Sequence, residues 1–248
     1  MIELYGSGSP NVVKIAVMLE EIGRPYRMNF VDVLHSAQFS PAFLALNPLG
    51  KVPVIVDHEG AGPTQPIFES AAILIYLAET YAPHLLPPNG PGRWEVLKWL
   101  VAQVAYAGPM LGQLNHFQLV AGQSDGYAAN RYRDQAARVY GDFEKRLSVV
   151  PWVGGDAYSI ADIAMYPWSG YLSRHGFDAA KFPNLVAWRS RIDERPAVKR
   201  ARAAIQALSD NPQSQAPLND KDLDRFFGRS KPGPKTDFES YYALGPFS

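Results

Sequence analysis

Two short segments carry side chains whose type and position could do chemistry. In Gly6-Ser7-Gly8-Ser9-Pro10-Asn11 a hydroxyl and a carboxamide stand where a helical pattern begins. A thiolate placed there would be stabilised by hydrogen bonds from Ser9 and Asn11 and by the helix end, the influences that lower a thiol pKa from about 8.5. The plainer alternative is that Ser9 or Asn11 only caps the helix. Tyr5 competes as a donor, but its place in an alternating strand assigns it to the core. In Phe68-Glu69-Ser70-Ala71-Ala72-Ile73-Leu74, Glu69 and Ser70 open an apolar helix. Ser70 can cap it. Unpaired N–H groups and the positive helix end attract a carboxylate, while Glu69 could take an ammonium, so together they fit an amino-acid head group. Taken alone, this pattern more commonly means a simple cap with an acidic first turn.

The composition narrows what such sites could serve. The 248 residues include no cysteine, which excludes disulfides, thiolate metal sites and any mechanism using the protein's own sulfur as nucleophile. Thiol chemistry would need a thiol from outside. Lys plus Arg number 24 and Asp plus Glu 24, so no cationic excess favours a nucleic acid or an anionic membrane. No apolar run of membrane-spanning length occurs, and Met1-Ile2-Glu3-Leu4-Tyr5 lacks the basic flank of a signal peptide. A cytoplasmic protein with neither nucleic-acid nor membrane partners is expected. The five histidines have no metal-ligand spacing.

The elements that must hold these segments follow from periodicity. Ile2 and Leu4, then Tyr26, Met28 and Phe30, alternate like strands. Val12, Ile15, Ala16, Leu19 and Ile22 recur at helical spacing, with Gly23 and Pro25 as the stop. A helical piece near Pro41–Leu46, a buried strand Val52–Val56, a loop Glu59–Pro66, a brief strand Ile67–Phe68 and a helix from Glu69 to Tyr81 complete a βαβ-ββα order, the thioredoxin-like layout. At Val52-Pro53 a proline heads a buried strand. It is either an ordinary strand-start proline, the commoner case, or a cis bond, found in about 5–6 % of X–Pro bonds. A cis bond in this layout would turn the Val52 N–H and C=O outward to pair with an extended peptide. Pro83, Pro87, Pro88 and Pro91 cannot continue a helix. The expected organisation is a thioredoxin-like domain at 1–83, a linker at 84–92, an all-helical domain at 93–208 with helices near 93–121, 128–149, 159–174, 185–194 and 197–208, and an extended tail at 209–248. The class is α/β followed by all-α. Ser159-Ile160-Ala161-Asp162 reads as a capping box with a folding role, and Trp152, Trp168 and Trp188 as packing residues. His116 reads as a satisfied histidine rather than a base.

In combination, these segments carry a resemblance. Ser9-Pro10-Asn11, Gln38-Phe39, Lys51-Val52-Pro53, Phe68-Glu69-Ser70, Gly108-Pro109-Met110-Leu111-Gly112-Gln113, Tyr127 to Arg131, Trp152-Val153-Gly154-Gly155 and Tyr158 to Asp162 occur in this order and spacing. With them the chain resembles the glutathione transferases over residues 1 to about 208. It is most similar to the bacterial Nu-class members that include glutathione-dependent disulfide-bond oxidoreductases. The resemblance implies glutathione as cosubstrate, with Glu69 and Ser70 at its γ-glutamyl end and the Val52 backbone, ahead of Pro53, on its cysteinyl unit. It puts Lys51 and Gln38 near the glycyl end, and Ser9 and Asn11 facing the sulfur. Arg131 matches an arginine that helps hold a second glutathione, whose carboxylate suits a guanidinium fork. A homodimer is implied as well. Ser9 stands where Nu-class members commonly have threonine, which keeps the hydroxyl and loses a methyl.

Three functions follow as expectations. The first is reduction of a small disulfide by two glutathiones. The second is glutathione conjugation to, or glutathione-dependent cleavage of, a hydrophobic electrophile in a pocket lined by Met110, Leu111, Phe117, Tyr166 and the tail aromatics Phe226, Phe227, Tyr241 and Tyr242. The third is glutathione binding without turnover.

Overall fold

The computed structural model describes residues 1–60, 64–120, 126–210 and 220–228. These residues form two compact units. One comprises Met1–Ala16, Arg24–Ile73 and the described residues from Arg202 onward; the other comprises Val17–Gly23 and Leu74–Ala201.

The first unit is built on four strands: β1 (Ile2–Gly6), β2 (Tyr26–Phe30), β3 (Val54–Asp57) and β4 (Pro66–Phe68). Their order is β2-β1-β3-β4, with β2 parallel to β1 and both β3 and β4 antiparallel to their neighbours. Helix α1 (Pro10–Ile22) links β1 to β2, α2 (Pro41–Leu44) precedes β3, and α3 (Ser70–Tyr81) follows β4. This is the expected βαβ-ββα order. Ile2, Leu4, Val12, Ile15, Val54, Ile55 and Ile73 are buried at its centre. The strand expected at Val52–Val56 begins two residues later, at Val54. Pro53 has no N–H for a ladder, and the paired residues start beyond it.

The second unit contains no strand among its described residues, apart from an isolated bridge between Trp152 and Gly155. After α3, its helical stretch from Gly90 to Val120 is not one regular helix. Helix α4 (Gly90–Ala102) and α5 (Gly108–Asn115) are separated by a π-helical turn at Gln103–Ala107, and a second such turn covers His116–Val120. Pro109 explains the first. Its ring would clash with the carbonyl four residues earlier in a regular helix and it lacks the N–H to bond it, so the wider turn accommodates it. Then follow α6 (Tyr127–Leu147), α7 (Ile160–Ser169) and α8 (Pro183–Asp193). Helix α9 (Pro196–Ser209) runs from this unit into the residues from Arg202 that belong to the first. No described helix is long and apolar enough to cross a membrane.

Within the tail expected to be extended, Asp220–Phe227 instead forms a helix, α10. Tail residues 211–219 and 229–248, Tyr241 and Tyr242 among them, lie outside the described set.

The capping box at α7 is formed as expected. Its carboxylate does more than cap. Asp162 is fully buried and accepts hydrogen bonds from Val153 N at 2.7 Å, Ser159 N at 3.0 Å, Ser159 Oγ at 2.9 Å and Trp188 Nε1 at 2.8 Å. It joins the loop before α7 to α8. Burial pushes its carboxyl above the usual range while the Trp188, Val153 and Ser159 donors oppose the shift. Trp188 and Trp168 are buried and Trp152 half-buried, in keeping with packing roles. Replacing Asp162 with Ala strands at least two buried donors at roughly 1–3 kcal/mol each. Asp162→Ala is therefore expected to lower unfolding free energy by roughly 2–6 kcal/mol in urea titration, and a loss under about 1 kcal/mol would contradict this reading.

Candidate active site

Strand register gathers the chemically able segments at one end of one sheet. Gly6, the last residue of β1, pairs with Phe30, the last of β2. Val54, the first of β3, pairs with Tyr5 on one side and with Phe68, the last of β4, on the other. The chain therefore leaves β1 towards Ser9 and Asn11, leaves β2 towards Gln38, enters β3 from Lys51-Val52-Pro53, and leaves β4 into Glu69-Ser70, all at the same end.

The entry to α1 depends on glycine. A Cβ on Gly6 would lie 2.6 and 2.7 Å from the Val12 methyls, closer than carbon atoms pack. With hydrogen there, the first turn of α1 closes directly over the strand end. The Ser9 carbonyl accepts from Val12 N and Val13 N, both at 3.0 Å, which makes Ser9 the N-cap residue, Pro10 the first helical residue and Asn11 the second. Pro10 fits because that position needs no N–H partner. Ser9 and Asn11 are half-buried at the helix N-terminus. Tyr5 is not a competing donor, because its hydroxyl is bonded to Glu3 Oε2 at 2.6 Å. Its ring packs against the Val31, Phe43 and Val54 cluster. Burial and the Glu3 carboxylate both push the phenol pKa up.

The approach to β3 is pinned by Asn47, itself buried. Its Nδ2 donates to Lys51 O at 2.8 Å, its Oδ1 accepts from Leu49 N at 3.0 Å, and its carbonyl accepts from Gly50 N at 3.0 Å. Gly50 has φ +58°, and a Cβ there would lie 2.8 Å from the Phe39 ring; both features call for glycine. The Val52-Pro53 bond is cis, and Val52 stands outside the paired residues of β3. Lys51 is exposed. Gln38, beside Phe39, is buried at 5 % exposure, and its Oε1 has no hydrogen-bond partner among the described residues. Helix α10 reaches the same loop, where the Arg225 guanidinium lies 5.3 Å from the Phe39 ring centre.

At α3 the two residues divide the work differently from expectation. Glu69 occupies the cap position, since its carbonyl accepts from Ile73 N at 2.9 Å. Ser70 is the first helical residue and is buried. Glu69 has φ +68°, a left-handed conformation uncommon outside glycine and typical of ligand-holding positions, and it is exposed. Ser70 Oγ lies 3.3 Å from Lys14 Nζ. Lys14, on α1, is buried at 1 % exposure. Burial pushes its pKa down to about 7, against the opposing pull of the Glu69 carboxylate. The sequence reading passed over Lys14. The visible signal was a lone lysine within the otherwise apolar run Val12–Leu19.

The remaining candidate residues belong to the second unit. Arg131 is exposed near the start of α6. Of the residues expected to line an apolar pocket, Leu111 is fully buried and Tyr166 almost so. The Tyr166 hydroxyl is bonded to Asp193 at 2.6 Å and its ring lies 4.7 Å from the Arg189 guanidinium carbon. Both are core residues, a correction to that expectation. Met110 and Phe117 are half-buried, and Phe117 stacks on Tyr132.

A thioredoxin-like sheet with a cis-proline segment and two helix N-termini at one end, followed by a helical unit, defines the glutathione transferase fold. The family models agree: residues 8–80 match the glutathione S-transferase N-terminal domain and residues 111–196 the C-terminal domain. The chain belongs to the glutathione transferase family. It is 44 % identical over 208 residues to the disulfide-bond oxidoreductase YfcG of Escherichia coli, covering 83 % of this chain and 96 % of that one. It is 35 % identical to YghU, another disulfide-bond oxidoreductase of the same organism, over 81 % of this chain and 74 % of YghU. Among solved structures, a Pseudomonas fluorescens family member with two glutathiones bound superposes with TM-score 0.74 at 38 % identity, covering 81 % of this chain and 91 % of that one. A Pseudomonas putida glutathione transferase with one glutathione disulfide per subunit gives 0.75 at 36 %, covering 81 % and 90 %.

Proposed function

We propose that this protein is a glutathione-dependent disulfide reductase of the Nu type, acting on small disulfides in the cytoplasm, where reduced glutathione is plentiful. The observation that carries the reading is the convergence of Ser9, Asn11, Val52, Glu69 and Ser70 at one end of the sheet in a chain without cysteine. The open N-terminus of α3, with Glu69 beside it, suits the carboxylate and ammonium of a γ-glutamyl group. The Val52 backbone, free of the ladder, suits an extended cysteinyl unit. Gln38 and Lys51 suit the glycyl end.

Ser9 and Asn11 then donate to the sulfur. The glutathione thiolate attacks one sulfur of the substrate disulfide, forming a mixed disulfide and expelling the other half as a thiolate, which takes a proton. A second glutathione thiolate attacks the glutathione sulfur of the mixed disulfide and releases the remaining half. Two glutathiones are oxidised to one glutathione disulfide, and the substrate disulfide is reduced to two thiols. Relatives that hold two glutathiones or one glutathione disulfide support a site with room for both. The protein supplies position and electrostatics, and the tripeptide supplies the redox atom.

Steady-state assays of a small disulfide and of an aromatic halide, run side by side with glutathione, test the reading. Saturable disulfide reduction with conjugation near background is expected; the reverse result, or glutathione binding with neither activity, contradicts it. In the double variant Ser9→Ala with Asn11→Ala, kcat should fall about 100-fold or more while glutathione affinity changes only a few-fold. Unchanged turnover would remove these residues from the mechanism.

We also infer a homodimer. Trp94 and Val101 lie two turns apart on one face of α4 and are 66 % and 54 % exposed, an apolar pairing that a second copy would cover. Sedimentation should give a dimer that Trp94→Glu dissociates, and a wild-type monomer at micromolar concentration would contradict the inference.

A further inference from the structure

Lys14 is a cation placed where packing alone gives no reason for one. Along α1 its neighbours Val12 and Ile15 through Leu19 are buried and apolar, and a methionine would fill the same length without desolvating a charge. What distinguishes the lysine is its contact. Its Nζ lies 3.3 Å from Ser70 Oγ, and Ser70 is the first residue of α3. An ammonium group only donates. When Lys14 is charged, Ser70 Oγ must accept from it, and the one hydroxyl hydrogen is left to point away from Lys14.

The first N–H groups of α3 have no partner within the helix, and the Ser70 hydroxyl stands among them. A carboxylate docking on this helix end would meet the backbone donors and a hydroxyl already turned to donate. Lys14 would lie behind that hydroxyl as a second layer of positive charge, in surroundings where a charge acts strongly because little water screens it. The exposed Glu69 carboxylate at the cap position favours the charged state of Lys14, so the acidic residue that suits the ligand's ammonium also sustains the cation behind its carboxylate.

We propose that Lys14 is a positioning residue of the glutathione site: it orients the Ser70 hydroxyl and supplies the buried positive charge that selects the α-carboxylate of the γ-glutamyl group. This rests on the reading of the α3 end as the γ-glutamyl site and assigns that site its specificity. It accounts for a polar pair at the junction of α1 and α3, where the sequence pattern calls for apolar contact. It also separates two tasks on α1, because Ser9 and Asn11 at its start act on the sulfur while Lys14, one turn further along, acts on the far end of the tripeptide.

The test is calorimetric binding of S-methylglutathione, which has no reactive thiol, and of the same compound lacking the γ-glutamyl α-carboxylate, to wild type, Lys14→Met and Lys14→Gln. Lys14→Met should weaken S-methylglutathione about 10- to 100-fold, the scale of one charge-assisted hydrogen bond. It should bind the carboxylate-free compound within about twofold of wild type. Lys14→Gln, which can still donate to Ser70 but carries no charge, should fall between the two. In disulfide reduction, KM for glutathione should rise more than kcat falls. Equal S-methylglutathione binding by wild type and Lys14→Met, or equal weakening of both compounds, would overturn the proposal, as would failure of both variants to fold, which would make Lys14 a structural residue. A wild type that binds neither compound would instead overturn the glutathione reading itself.

Discussion

Val54 pairs with Tyr5 of β1 on one side and with Phe68 of β4 on the other, and the rest of the site follows from that register. Because β3 runs against both neighbours, the start of one strand and the ends of three others meet at one edge, bringing Ser9, Gln38, Val52 and Ser70 together from positions far apart in the chain. A slip of one residue would turn Val54 and Ile55 to opposite faces. It would also carry the Val52-Pro53 segment away from the helix ends. Burial of every residue of β3 makes such a slip costly. Two glycines protect the same edge at close quarters, Gly6 beneath Val12 and Gly50 against Phe39.

The absence of cysteine sets the chemistry that this edge can support. A protein that owns no thiol can carry out thiol–disulfide exchange only on sulfur that it holds, so its contribution is confined to orienting a tripeptide and stabilising its anions. In the proposed reading that task falls to two helix N-termini. At α1, half-buried Ser9 and Asn11 stand beside the helix end, where a thiolate can be met by neutral donors without losing its reactivity to a tight ion pair. At α3, the exposed Glu69 and the buried Ser70–Lys14 pair are the groups that the proposal assigns to a zwitterionic head group. The strained backbone of Glu69 belongs to that arrangement, since it puts an acidic side chain at a cap position where a plain cap would use Ser, Thr, Asp or Asn.

Much of this was legible in the sequence because it rests on local pattern. The alternation of Ile2 and Leu4, the helical recurrence of Val12 to Ile22 and the punctuation by Gly23 and Pro25 sufficed for the βαβ half, and Ser159 with Asp162 announced the start of α7. The features that escaped are set by tertiary context. Periodicity cannot distinguish a π turn from α-helix, so the stretch around Pro109 read as one helix. Strand propensity in Val52–Val56 ignores which N–H groups find partners, so the strand began two residues early. The apolar character of Leu111 and Tyr166 fitted a pocket as well as a core until burial and the Tyr166–Asp193 bond decided it. Lys14 was hidden because helical periodicity marks a lone lysine as an exposed interruption, whereas its partner lies 56 positions away at the start of another helix.

Whether the protein lowers the thiol pKa of a glutathione that it holds is measured most directly by the thiolate absorbance of glutathione titrated with pH on the wild-type protein at saturating binding. The account predicts that the bound thiol ionises at least one pH unit or so below free glutathione under the same conditions. A bound thiol that titrates together with the free one would show that Ser9, Asn11 and the α1 end do not act on the sulfur, and would contradict the account.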